Sequence, residues 1–296
     1  MKIGILPYEL RHEKNLAAIP LRSLTWPSQD ADIGEPVGCI GDLSAHDHVV
    51  VYPSSTRLLR GFGGVSCKVD LLMAEPIAIQ KRYYQHIWLL RHKFNAIFCR
   101  YGKYARRYSN VHQLAVVESW VDGHAVNLTL GKPHYCSIIA SAKQDLTGHK
   151  LRHALVAWVR QVANPPLRVQ VLDRGYNPFE HKQDGLLPYR YSVVIENVQE
   201  VDYFTEKLLD CMLCGTLPIY WGAPNIEEYF DVAGMIICNS LTDLQQAVGR
   251  VGGFSQAMPT ASQCLAMELN RKVALDLSQL PPRLVETIVK QESQCQ

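Results

Sequence analysis

The sequence predicts an α/β chain built from two Rossmann-like halves in succession. Three observations predict it. Short β-branched apolar runs recur along the chain and alternate with amphipathic helical stretches, the pattern of parallel strands joined by crossover helices. Several runs end abruptly in small or polar residues, as strands do where they deliver a loop at the carboxyl edge of a sheet. The pattern then starts afresh near residue 134, after the Gly- and Pro-punctuated stretch Trp120 to Pro133, which reads as a linker. With 47% hydrophobic and 20% charged residues, a 296-residue chain has core enough for one large domain or two ordinary ones.

Taken in order, Lys2 to Leu6 is a short strand and a polar stretch follows to about Pro36. Val49 to Tyr52 is a second strand, ending in the polar loop Pro53 to Thr56. Val69 to Met73 is a third and delivers Ala74-Glu75-Pro76, and Phe94 to Cys99 is a fourth. These elements set an expected first domain at 1–133. The second, 134–296, opens with a strand at Tyr135 to Ala140 that ends at Ser141. A helix is expected from about Thr147 to Val162, a strand at Leu167 to Leu172, and then a loop with Arg174 and Tyr176. A strand at Gly234 to Cys238 and helical segments complete the chain. Two such halves of similar size imply the GT-B architecture, two Rossmann-like domains facing across a cleft.

The stretch from Tyr189 to Tyr229 is organised most tightly. Tyr191 to Ile195 reads as a buried parallel strand that runs directly into Glu196-Asn197. Thr205-Glu206-Lys207 opens a helix with Leu208, Leu209, Met212 and Leu213 on its apolar face. Gly215 stops that helix, and Leu217 to Gly222 is the next strand and turn. Ligands bind outside the carboxyl ends of such strands, where helix N-termini attract phosphate. The plain alternative makes Thr205 and Glu206 capping residues and Lys207 a solvated charge. Upstream, a serine closing a strand (Ser141) and an arginine early in the next helix (Arg152) form a pattern that clamps a diphosphate, Arg through its forked guanidinium. The alternative there is a helix surface with interspersed basic residues.

The order Glu196-Asn197, five residues, Tyr203, then Thr205-Glu206-Lys207 and later Pro218-Ile-Tyr-Trp-Gly222 resembles the donor-binding signature of family 10 glycosyltransferases, the α1,3/4-fucosyltransferases. The resemblance covers about 134–240 and is thin over 1–133. It implies an inverting transferase using GDP-fucose, without a cofactor or metal, on a glycan acceptor. It places Asn197 and Tyr203 near the nucleotide, Glu206 on the sugar hydroxyls, and Lys207 and Arg152 on the diphosphate. Glu196 matches the family's Glu with a role in holding the loop, and Arg174 and Tyr176 are carried over to base or phosphate contacts. The last helix, Pro282 to Gln291, is expected to cross back onto the first domain. Another nucleotide sugar, or a catalytically silent nucleotide-sugar-binding module, remain the alternatives.

Inverting transfer needs a carboxylate to take the acceptor's proton. Glu75 is the candidate, because it ends a buried strand before a proline that turns the chain away. Family members carry a Glu-Asn-x-x-Pro-like segment there; this chain has Glu75-Pro76-Ile77-Ala78, so only the Glu carries over. A helix-start carboxylate is the alternative reading of Glu75, and Asp70 is the second choice as base.

Other signals are set aside. A net charge of +2 speaks against a nucleic-acid binder, and the Arg100, Lys103, Arg106, Arg107 cluster reads as a solvated helix face. Asp30-Ala31-Asp32 has a DxD form but sits in an early polar loop. His46-Asp47-His48 could bind metal but has no distant third ligand and reads as a loop. Nine cysteines, an odd number with no secretory signal before them, read as reduced and buried, Cys211 and Cys214 included. The first residues are too briefly apolar for a signal peptide or membrane anchor, so a cytoplasmic form of bacterial or viral type is expected.

Overall fold

Two five-stranded sheets, each entirely parallel, carry the architecture of the computed structural model, which describes residues 1–27, 36–55, 61–162, 167–172, 177–253 and 258–294. The chain divides into two compact units. One comprises Met1–Val116 with Gln279–Gln296, the other Val117–Ser278.

In the first unit, β1 (Ile3–Ile5), β2 (His48–Val51), β3 (Lys68–Met73), β4 (Ile97–Cys99) and β5 (Val111–Gln113) lie side by side in chain order. Helices α1 (Ile77–Gln85) and α2 (Ile87–Leu90) join β3 to β4, and α3 (Gly102–Ala105) joins β4 to β5. β1 to β4 are buried on both faces, which is why they read as largely apolar runs. Val49, Val51, Leu71 and Met73 face Tyr84, Ile87 and Leu90 on one side. The alternate residues Val50, Leu72 and Phe98 meet Leu280, Leu284 and Ile288 of the last helix, α8 (Leu280–Gln294), on the other. Inside this sheet His48 Nδ1 lies 2.7 Å from Asp70 Oδ2, while Asp70 Oδ1 accepts from Asn95 Nδ2 (2.9 Å) and the Ala96 N–H (3.0 Å). Asp70 is fully buried and its oxygens are engaged, which removes it as the second-choice base. Asp47 accepts from the Lys2 and Ser44 N–H groups, and no metal-binding group of three His, Cys, Asp or Glu exists among the described residues. Asp30 and Asp32 lie outside those residues.

The second unit runs β6 (His134–Ile139), α4 (Thr147–Gln161), β7 (Val169–Leu172), β8 (Tyr189–Ile195), α5 (Glu206–Leu213), β9 (Leu217–Trp221), β10 (Ile236–Ile237), α6 (Leu241–Gly252) and α7 (Ala261–Ser278). Its strand order is β10-β9-β8-β6-β7, so the direction of travel reverses between β6 and β8. Leu155, Val156 and Val159 of α4 and Leu244, Val248 and Val251 of α6 pack on one face of that sheet. Gly215 terminates α5 with φ of 61°, a left-handed conformation that glycine adopts without a Cβ penalty.

The units divide at 116/117, whereas the linker-like composition set the expected divide at 133/134. Side chains explain the difference. Asp210 Oδ1 accepts from Ser119 Oγ (2.7 Å) and the Trp120 N–H (3.0 Å). Lys132 Nζ donates to the Leu187 and Cys214 carbonyls and to Thr216 Oγ1 at 2.8–2.9 Å. Arg271 donates to the Gly123 carbonyl at 2.7 Å. The stretch is therefore hydrogen-bonded into the second unit despite its loop-like sequence. Of the eight described cysteines all are free; Cys39 is half-buried and Cys264 exposed, against the expectation of uniform burial. Cys211 and Cys214 are buried, and burial pushes the Cys214 thiol up to about 12, as befits inert core residues.

Candidate functional site

A reversal of strand order opens a crevice at the carboxyl edge, because the two loops that leave adjacent strands there turn to opposite faces. In the second unit these are the loops after β6 and β8, and each leads into a helix. The N-terminus of α4 is drawn against the end of β8. The Gly148 N–H donates to the Asn197 carbonyl at 2.9 Å, and a Cβ on Gly148 would lie 1.7 Å from the Glu196 carbonyl oxygen. Only glycine fits there. Arg152 is buried, and its Nη2 donates to the Ile195 carbonyl at 2.6 Å, so part of its guanidinium holds the last residue of the strand. His149 Nε2 meets Asn197 Oδ1 at 3.2 Å, and burial, with Arg152 nearby, holds the imidazole below its ordinary pKa.

The head of α5 is built around a carboxylate. Glu196 is fully buried and accepts from the Thr205 N–H (2.8 Å) and Thr205 Oγ1 (2.7 Å). The same hydroxyl accepts from the Lys207 N–H (3.4 Å) as helix cap and from Lys207 Nζ (3.1 Å). Lys207 Nζ also lies 3.1 Å from Glu206 Oε1 and 3.8 Å from Glu196 Oε2. Burial raises the Glu196 carboxyl above its ordinary range against the pull of Lys207. For Glu206 burial pushes up too, but Lys207, a backbone hydrogen bond and Lys182 together outweigh it and the net is a lowered pKa. Glu206 and Lys207 keep 25% and 23% of their side chains exposed while Glu196 has none, so the first two can meet a ligand and the third holds the turn. The loop between is itself constrained. Asp202 adopts φ of 62° and is held by Asn225 and by the Tyr229 hydroxyl at 2.8 Å.

The remaining sequence candidates fall in three places. Ser141 is half-buried in the loop after β6, at the same edge. Tyr203 is only 2% exposed and sits in the interior beneath the loop. Arg174 and Tyr176 lie outside the described residues. Sequence reasoning missed Lys182, which is half-buried with its Nζ 5.8 Å from the Trp120 ring centroid. Burial lowers its pKa, and Asp210, Glu206, Lys207 and Arg152 all lie close enough to influence it. Nothing in the polar run around Lys182 distinguishes it from a solvated lysine.

In the first unit Glu75 is half-buried on a turn that side chains hold from several directions. Arg100 Nη2 donates to the Ala74 carbonyl (2.6 Å) and the Val116 carbonyl (2.9 Å). The Tyr84 hydroxyl donates to the Glu75 carbonyl (3.2 Å), and Tyr101 Oη accepts from the Ile77 N–H (2.9 Å). These contacts hold the backbone on both sides of Glu75. Arg100, part of the cluster read as a solvated helix face, is instead buried.

No family model matches the chain. An α-(1,3)-fucosyltransferase of Helicobacter pylori is 31% identical over 133 residues, covering 39% of this chain and 27% of that protein. An α-(1,4)-fucosyltransferase of Arabidopsis thaliana is 28% identical over 117 residues, covering 37% of this chain and 29% of that protein. The matched stretch thus spans less than a third of each relative's length. Among solved structures, Anabaena HepE in complex with UDP and glucose aligns with a TM-score of 0.56 at 8% identity, over 81% of this chain and 78% of that one. That likeness shows the fold, which is of the GT-B type. In sequence, then, the chain is similar to these fucosyltransferases over somewhat more than a third of its length.

Proposed function

We propose that the chain is an inverting glycosyltransferase that moves L-fucose from GDP-fucose to a glycan hydroxyl. The observation that carries the reading is the Glu206–Lys207 pair at the head of α5. It stands at the edge where the strand order reverses, partly exposed, and Thr205, the residue before it, is held by a wholly buried Glu196. A Lys at a helix N-terminus suits a leaving diphosphate, and a carboxylate beside it suits the vicinal hydroxyls of a sugar. The name of the Helicobacter relative supports fucose as the sugar, and GDP as its carrier is what the signature's resemblance implies.

In this reading the acceptor oxygen attacks the anomeric carbon as the bond to the phosphate oxygen breaks. Glu75 takes the acceptor's proton, and the charge that develops on the diphosphate is met by Lys207, Arg152 and the N–H groups at the head of α5. Ser141 and Asn197 bound the nucleotide side of the crevice, and Arg174 and Tyr176 are proposed contacts to the base or phosphates.

Thermal shift with GDP and GDP-fucose, paired with a transfer assay, tests this. Lys207→Ala should weaken both ligands alike, since both carry the diphosphate, by about 1.5–3 kcal/mol. Glu206→Ala should weaken GDP-fucose more than GDP. Glu75→Gln should leave GDP affinity unchanged and lower transfer by roughly 10²–10⁴-fold. Chelator should leave GDP binding intact. Equal losses of GDP and GDP-fucose in the Glu206 variant would remove it from the sugar, and absence of any shift with GDP would refute the donor assignment.

A further inference from the structure

Between Pro76 and Val117 the chain has eight Lys and Arg and no Asp or Glu. The other 22 basic residues are set against 28 acidic ones, so this segment carries +8 and the remainder −6. The small net charge of the whole chain conceals that separation.

The fold gathers the segment on one side of the first unit. Strand order there never reverses, so the right-handed crossovers through α1–α2 and through α3 fall on the same face of the sheet. Ring contacts join the crossovers. Tyr84 of α1 stacks on Tyr104 of α3 with centroids 5.5 Å apart, and Arg91 and Arg107 lie 5.2 and 5.3 Å from the Tyr108 ring. Tyr84, Ile87 and Leu90 turn inward to the core. Lys81, Arg82, Lys103, Arg106 and Arg107 are exposed on the outer side. Among them stand Ile79, Trp88 and Leu89, which are 50%, 56% and 51% exposed.

Cations alone would suit any polyanion. A nucleic acid or acidic polysaccharide, however, would engage the charges and the indole and leave Ile79 and Leu89 in water. An anionic bilayer satisfies both sets. Lys and Arg meet lipid phosphates, Trp88 sits at headgroup level, and the aliphatic side chains reach the acyl boundary. No described helix is long and apolar enough to cross a membrane. We propose that the α1–α2–α3 face of the first unit docks on the surface of a bilayer rich in anionic phospholipid.

Co-sedimentation of the full chain with vesicles reads this directly and needs no sugar donor, so it is independent of the transfer reading. The chain should partition onto phosphatidylglycerol–phosphatidylcholine vesicles, far less onto pure phosphatidylcholine, and be released at about 1 M salt. Each cation near an anionic surface contributes roughly a fivefold change in partitioning. Lys103→Ala/Arg106→Ala/Arg107→Ala should therefore lose on the order of a hundredfold. Trp88→Ser/Leu89→Ser should lose roughly tenfold or more on vesicles while its retention on heparin stays unchanged. These side chains are exposed, so melting temperatures should stay near that of the parent chain. No partitioning onto the anionic vesicles, or equal partitioning onto both kinds, overturns the proposal. So does a Trp88→Ser/Leu89→Ser variant that binds anionic vesicles like the parent, which would make the face a site for soluble polyanions.

Discussion

Asp210→Asn should make the protein more stable above neutral pH. Asp210 is wholly buried on α5; its Oδ1 takes both available donors, and its Oδ2 has no hydrogen-bond partner among the described residues. Burial pushes its carboxyl from the ordinary 3.8 to about 6, opposed by the Ser119 hydrogen bond and by Lys182. Between those two values the folded chain binds more protons at this site than the unfolded chain does. Stability contributed by the group is therefore highest near pH 4, falls as pH rises, and levels off above about 6. The full difference is worth about 3 kcal/mol. Asparagine keeps an acceptor for Ser119 and Trp120 and carries no charge, so it escapes this cost. Lys182 loses an opposing charge in exchange, which trims the gain to roughly 1–3 kcal/mol at pH 8. Urea unfolding of parent and variant at pH 4 and pH 8 measures it. The variant should gain at pH 8 and show little difference at pH 4. A loss at pH 8, or the same difference at both pH values, would refute the assignment of a buried, ionised Asp210.

Two further substitutions probe how the two candidate sites are held. Gly148→Ala would force a Cβ to within 1.7 Å of the Glu196 carbonyl oxygen, so the head of α4 must move. It should cost several kcal/mol, of the order seen for overpacked cores, and weaken GDP binding; a variant with parental melting temperature and GDP shift would show that the close approach is not needed. Tyr101→Phe removes the acceptor of the Ile77 N–H and should cost about 1–2 kcal/mol, with transfer falling and GDP affinity unaltered. Unchanged unfolding and unchanged transfer would mean the Glu75 turn does not depend on that hydroxyl.

Most strands were legible because burial on both faces leaves runs that are apolar but for a single buried polar residue, as with Asp70 in Val69 to Met73 and Ser192 in Tyr191 to Ile195. β5 was not, since Val111–Gln113 is three residues long and gains its place only by pairing with β4. The head of α5 was legible too, because Glu196, Thr205, Glu206 and Lys207 lie within twelve residues and their chemistry is local. Tertiary structure decided what depends on distant partners. Gly148 reads as an ordinary helix-start glycine until the Glu196 carbonyl, 48 positions on, is brought against it. Residues 117–133 read as a linker, yet Asp210 and Arg271 claim them for the second unit. The Arg100–Arg107 cluster reads as one solvated face, yet Arg100 turns inward to two carbonyls while its neighbours stay outside. Local patterning determines which residues form an element and which chemistry sits at its end. Which loop meets which helix is set by strand order, and strand order is a property of the packed sheet, invisible in any window of the chain.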